Sequence, residues 1–204
     1  MEGVNIKQET RNKNMINLHI IGDSHAREFT WGGINITGLN IICHYLIDKT
    51  CAAFGIERPS IYDMGVRKND WVCFCFGEID CRVHIGRNKE YYKEIIDKIV
   101  ENYFFAINQY KIAKKFVFNV VPSNIQATAS ASPFPSTGTD EERRCYVRFF
   151  NECLKNRCGE FGFIYFDVYD KYADENGYFN LQYRDDCGHI ANPIFLTEFL
   201  KMQT

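Results

Sequence analysis

Short apolar runs alternating with stretches of helical period constrain this chain more than anything else in it. The runs cover residues 17–21, 39–46, 71–76, 115–121 and 163–168. Residues 71–76 are continuously apolar, as expected of a strand covered on both faces. From residue 89 to 110, Tyr92, Ile96, Ile99, Tyr103 and Ile107 recur at helical spacing, with Lys, Glu and Asn opposite. Residues 140–157 carry a second stripe of Tyr146, Phe149, Phe150, Cys153 and Leu154, and Thr139 with Glu142 forms a capping box at its start. Phe195, Phe199 and Leu200 mark a short last helix after Pro193. Strands alternating with helices imply βαβ crossovers, hence an α/β fold with a mainly parallel sheet of about five strands and helices on both faces.

Size and charge narrow the function classes. The 204 residues divide into a polar N-terminal leader, 1–14, and one domain, 15–204. The leader lacks the apolar core of a signal peptide. The longest apolar runs are strand-length, well short of the roughly 18–20 residues that span a bilayer. A net charge of −2 gives no basis for nucleic-acid binding. The expectation is a cytoplasmic protein without membrane insertion. Nothing in the sequence sets an oligomeric state.

The nine cysteines are odd in number and irregular in spacing, which favours reduced thiols over a disulfide framework. Cys73, Cys75, Cys81 and His84 could be imagined as a zinc set. Cys73 and Cys75 belong to a strand interior, however, and no Cys-x-x-Cys pair exists, so no metal is expected.

In a parallel sheet the working groups collect where the strands end. Ser24 follows the first run, residues 78–82 follow the third, and Ser123 follows the fourth, so all three belong to one rim. The connection 122–139 is long and rich in Ser, Ala, Thr and Pro, as lids and binding loops are. Ser24 closes the first strand within Gly22-Asp23-Ser24-His25, and Asp186-Cys187-Gly188-His189 precedes the last helix. A serine hydroxyl needs a base to take its proton. His189 is the candidate base, and Asp186 is the candidate carboxylate to orient its ring. The plainer reading is that Ser24 and Asp23 only cap a helix.

The placement of these two motifs resembles the SGNH (GDSL-like) hydrolases, over residues 16–202. Gly22-Asp23-Ser24 matches the first block of that family and Asp186-x-x-His189 the last. The resemblance implies a flavodoxin-like three-layer α/β/α sandwich. It makes Ser24 the nucleophile, His189 the base and Asp186 its partner, with no cofactor. The family's third block is Gly-x-Asn-Asp, whose Asn donates to the oxyanion. Here Gly77-Glu78-Ile79-Asp80 puts isoleucine in its place. The family's separate oxyanion glycine has only Gly55 and Gly65 as candidates.

Losing one oxyanion donor lowers turnover by about 10²–10³. Arg82, His84 and His25 are candidates to replace it, and Gly77, Glu78 and Asp80 belong to the same rim. The alternative is that Glu78, Asp80 and Arg82 form an ion-pair network that only shapes the surface. A glycosidase pair of Glu78 and Asp80 is disfavoured, because residues two apart on one turn do not face each other across a sugar. His19 reads as a packed strand residue, and His44 has no partner motif. The leading expectation is a serine esterase that removes O-acetyl or another small acyl group from a carbohydrate. The others are a glycan O-acyltransferase with the same triad, or a catalytically weak glycan-binding relative.

Overall fold

The structure is a computed structural model that describes residues 15–125 and 135–204. The expected leader 1–14 and residues 126–134 of the long connection lie outside the described residues. Five strands form one sheet: β1 (Ile16–Gly22), β2 (Leu39–Tyr45), β3 (Trp71–Cys75), β4 (Lys114–Phe118) and β5 (Ile164–Phe166). Their order is β2-β1-β3-β4-β5, and every neighbouring pair is parallel. The helices are α1 (Glu28–Trp31), α2 (Cys51–Glu57), α3 (Tyr92–Asn108), α4 (Asp140–Phe161), α5 (Tyr169–Tyr172) and α6 (Ile194–Lys201). The flavodoxin-like α/β sandwich is therefore what the chain adopts. No helix among the described residues is long and apolar enough to cross a membrane.

Strand alternation sorts the side chains into two cores. Leu18, Ile20, Cys73, Cys75, Phe116 and Phe118 point to the face covered by α1, α5 and α6. Ile21, Val72, Phe74 and Val117 point to the face covered by α2, α3 and α4. Phe29 of α1 meets the rings of Phe118 and Phe166 edge-on at 5.3 and 5.6 Å, fixing the start of the chain to the far strands. On the other face Gly55 lets α2 approach α3. A Cβ there would sit 2.8 Å from the Tyr103 backbone nitrogen.

Several boundaries differ from the sequence expectation for identifiable reasons. The fourth apolar run continues to Val121, but the ladder of β4 ends at Phe118. Beyond it Asn151 of α4 takes both backbone groups of Val120, accepting from its N–H (2.7 Å) and donating to its carbonyl (2.8 Å). Val120 and Val121 are buried as coil rather than strand. The third helix begins at Tyr92 instead of residue 89, because Ile85–Tyr91 form 3₁₀ turns and Tyr91 leaves helical geometry (φ −113°, ψ 21°). The capping box of Thr139 and Glu142 forms as expected. That helix runs on to Phe161, since Cys158 extends its buried face, and stops where Gly162 turns left-handed at φ 69°.

Candidate active site

The reversal of strand order lies between β1 and β3, where a crevice opens at the carboxyl ends of the strands. Ser24 stands there, two residues past Gly22. Asp23 N–H donates to the carbonyl of Cys75 (3.1 Å), and Leu46 N–H donates to the carbonyl of Gly22 (2.8 Å). The end of β1 is thus pinned by both neighbouring strands. Asp23 then caps a short 3₁₀ turn, Ser24–Arg27, by accepting from the His25 N–H at 3.0 Å. The capping reading of Asp23 holds, and it leaves the Ser24 side chain available for another partner.

That partner is His189. Its Nε2 lies 2.9 Å from the Ser24 Oγ, across 165 positions of sequence. The ring comes from a loop closed by two antiparallel bridging contacts, Arg184 with Ile190 and the bond from Asp185 N–H to the His189 carbonyl (2.9 Å). The carboxylate beside the ring is Asp185, one residue before the expected Asp186. Asp185 Oδ1 accepts from the backbone N–H groups of Cys187 (2.9 Å) and His189 (2.8 Å), while Oδ2 faces Nδ1 of the ring at 3.5 Å. Asp186 is exposed. The reason is local: Asp185 turns the loop with its own side chain, and that turn points the next residue outward. Serine, imidazole and carboxylate follow one another at distances of 2.9 and 3.5 Å. With Nδ1–H toward Asp185, Nε2 is free to accept the serine proton.

Burial, and then the nearby His25, lower the His189 pKa from its ordinary value, which favours the neutral ring a base requires. The remaining rim candidates separate clearly. Arg82 donates to both oxygens of Glu78, at 2.5 and 3.2 Å, so these two form an ion pair on the rim. Burial opposes ionisation of Glu78, but Arg82 holds its carboxyl below the usual range. Asp80 does not face the crevice as a substrate ligand. It is fully buried, and its carboxylate accepts from the backbone N–H groups of Cys51 (2.7 Å) and Ala52 (3.2 Å), anchoring the start of α2. Gly77 serves the backbone: its φ is +120°, and a Cβ would meet Val120 at 2.7 Å and Phe150 at 2.8 Å. His84 is exposed on a π-helical turn, Asp80–His84. Gly55 packs against α3, and Gly65 ends a 3₁₀ turn, so neither position is explained by oxyanion binding.

His25 sits beside the Ser24–His189 pair, its ring 5.0 Å from that of His189. Its Nδ1 bonds the Oε1 of Glu28 at 2.7 Å, and its Nε2 lies 4.0 Å from Glu78 Oε2. Glu28 was not among the residues singled out by sequence. It is fully buried, and the same Oε1 accepts the Ile190 N–H at 2.8 Å, tying the serine turn to the histidine loop. The sequence signal for it is a carboxylate one turn after Ser24, between the buried Ala26 and Phe29. Burial would push His25 down, but Glu28, then Asp23 and Glu78, carry it up to about 10. Burial also raises Asp23 to about 7, against the pull of His25.

Away from the crevice, His19 is buried as expected, but it is not simply packed. It bridges His44 (2.8 Å) and Asp70 (3.2 Å). Among the described residues no group of three or more His, Cys, Asp or Glu side chains is arranged to hold a metal ion.

No protein-family model matches the sequence. No curated protein matches it either. Solved structures do. A protein from Streptococcus pneumonia named for platelet activating factor is 15% identical, with a TM-score of 0.68 over 95% of this chain and 86% of that one. A GDSL-like lipase from Bacteroides thetaiotaomicron is also 15% identical, with a TM-score of 0.56 over 92% of this chain and 86% of that one. An acetylxylan esterase from Geobacillus stearothermophilus is 11% identical, with a TM-score of 0.57 over 92% of each chain. At these identities the likeness concerns backbone, and it agrees with the strand order. The chain has the fold of the SGNH (GDSL-like) hydrolases.

Proposed function

We propose that this chain is a serine ester hydrolase that removes a small acyl group, in the first instance O-acetyl, from a carbohydrate. The observation that carries the reading is the 2.9 Å contact of Ser24 Oγ with His189 Nε2, backed by Asp185 at 3.5 Å. In this reading His189 takes the Ser24 proton as Oγ attacks the ester carbonyl carbon. The collapsing intermediate expels the alcohol, which receives the proton from His189. Water, activated by the same imidazole, then cleaves the acyl-serine and restores the hydroxyl.

Two features support a small acyl group on a sugar. A small, half-open cleft beside the serine turn is lined by Asp23, His25, Glu78, Phe118, Asn119 and Val121. It is far smaller than drug-sized ligand sites and suits an acetyl better than a long chain. Trp31 is 52% exposed, with its ring 6.1 Å from that of His189 and the Arg27 guanidinium stacked 3.7 Å above it. An exposed, braced indole beside the base is a natural platform for the apolar face of a sugar. The acetylxylan esterase among the structural neighbours agrees by analogy. Buried thiols such as Cys51, Cys73, Cys75 and Cys81 fit the reducing cytoplasm we propose for the protein.

Ile79 cannot donate to an oxyanion, and Arg82 is engaged by Glu78. Turnover about 10²–10³ below that of a site with its full donor set is therefore expected. The test is a pre-steady-state assay with an activated acetate ester. Wild-type protein should release one equivalent of alcohol in a burst, and Ser24→Ala should release none. A burst that survives Ser24→Ala would remove Ser24 from the chemistry.

A further inference from the structure

The serine and histidine motifs account for three side chains, yet the same crevice buries a second acid–base pair that the acyl chemistry does not consume. His25 and Glu28 are 5% and 0% exposed, and a buried ionisable pair needs a reason. Its contacts supply one. Glu28 Oε1 receives two donors, His25 Nδ1 at 2.7 Å and Ile190 N–H at 2.8 Å. The first holds the residue after the nucleophile, and the second holds the residue after the base. One carboxylate oxygen therefore sets the spacing between the two motifs. The His25 ring lies between this carboxylate and Glu78, 4.0 Å from Nε2, and it stands 5.0 Å from the His189 ring.

We propose that His25 and Glu28 are positioning residues, a buried ion pair in which Glu28 fixes the histidine loop and the His25 imidazolium keeps His189 in its neutral, proton-accepting form. The proposal rests on the esterase reading of Ser24 and His189. The groups that face His25 are Glu28 from α1, Asp23 from the end of β1, Glu78 from the segment after β3, and His189 itself. Those that face His189 are His25, Glu28, Asp185 and Glu78. Glu28 and Glu78, joined by Asp23 once it ionises at about pH 7, hold the charge of His25, whose ring stands 5.0 Å from that of His189. A cation beside an imidazole opposes a second cation there, so the base stays neutral to lower pH. Glu28, Asp185 and Glu78, all acidic, pull the other way. Burial, the largest cause, acts with His25, and together they keep His189 below its ordinary value.

The experiment is the pH dependence of Ser24 labelling by a fluorophosphonate probe. The serine oxygen displaces fluoride from phosphorus while His189 takes the proton, so the acid limb reports the protonation of His189. Full-length wild type, His25→Gln and Glu28→Gln are compared. In Glu28→Gln the new amide oxygen can still accept both hydrogen bonds, so the substitution removes the charge and keeps the geometry. Without that charge, burial drives the proton off His25, and the neighbouring cation is lost in this variant too. In His25→Gln the acid limb should move up by about one pH unit. In Glu28→Gln the shift should be smaller, because that variant also loses the upward pull of Glu28 on His189. A His25→Gln limb that superimposes on wild type would overturn the proposal. If His25→Gln does not fold, His25→Asn carries the same comparison. A second readout needs no variant and no activity: nitrogen chemical shifts of the His25 ring in the wild-type protein. Both ring nitrogens protonated at about pH 7.5 is the expected result, since the pair holds His25 charged well above its ordinary value. A neutral His25 ring there would overturn the proposal. Wild type that never labels at Ser24 while His25 is charged would defeat the esterase reading, and with it any role for the pair in acyl chemistry.

Discussion

A single residue decides which carboxylate belongs to the proposed triad. Asp185 and Asp186 are adjacent and chemically alike, but only Asp185 has Oδ2 facing His189 Nδ1, at 3.5 Å, and Oδ1 gathering the loop's backbone N–H groups. Asp185→Asn should lower the acylation rate by about 10²–10⁴, through loss of the tautomer and of the charge that stabilises the imidazolium. Asp186→Asn should leave it within about twofold, as for an exposed residue without such a role. Burst rates of the two variants check this, and the reverse ranking would restore Asp186 as the partner. Sequence spacing could place a histidine and an acid near each other but could not choose between neighbours. That choice depends on a loop turned by the acid's own side chain. Glu28 escaped the sequence reading for a related reason: a buried carboxylate on a four-residue helix has no motif around it, only a partner 162 positions away.

At the scale of elements the sequence was most legible where a face is repetitive. The stripe from Tyr92 to Ile107 and the capping box at Thr139 announce α3 and α4, because buried positions and end groups obey local rules. It was least legible where a side chain from a distant element ends a strand, as Asn151 does beyond β4. The contact of α2 with α3 is a test of element packing. Gly55 lies directly against the Tyr103 backbone, and the start of α2 is held by Asp80 from the third block. Gly55→Ala would place a methyl 2.8 Å from the Tyr103 backbone. It should cost about 1–3 kcal/mol in urea unfolding, as overpacking does. A change below about 0.3 kcal/mol would mean that the two helices are free to separate.

For the whole molecule, the buried charges make stability depend on pH with a definite sign. His25 is raised from 6.5 to about 10, so its contribution is complete below pH 6.5 and lost as pH rises through 10. Asp23 and Asp80 are raised from 3.8 to about 7 and about 6, so the folded state holds protons that the unfolded chain has released, and stability falls as pH rises from about 4 to about 7. His189 acts oppositely, since its lowered value favours folding as its proton leaves. Thermal unfolding followed from about pH 7 to about pH 10 should show a falling Tm, and the fall should be smaller in His25→Gln. A Tm that rises across this range would contradict a charged His25. The sheet order that brings the chain's two ends together serves one purpose in this account, to present Ser24 to His189. Mapping the acyl group by peptide mass after quenching a burst with activated acetate tests that most directly. Acetyl on Ser24 in wild type, and none in His189→Ala, is the expected result. Acetyl on another residue, or on Ser24 to the same extent without His189, would contradict it.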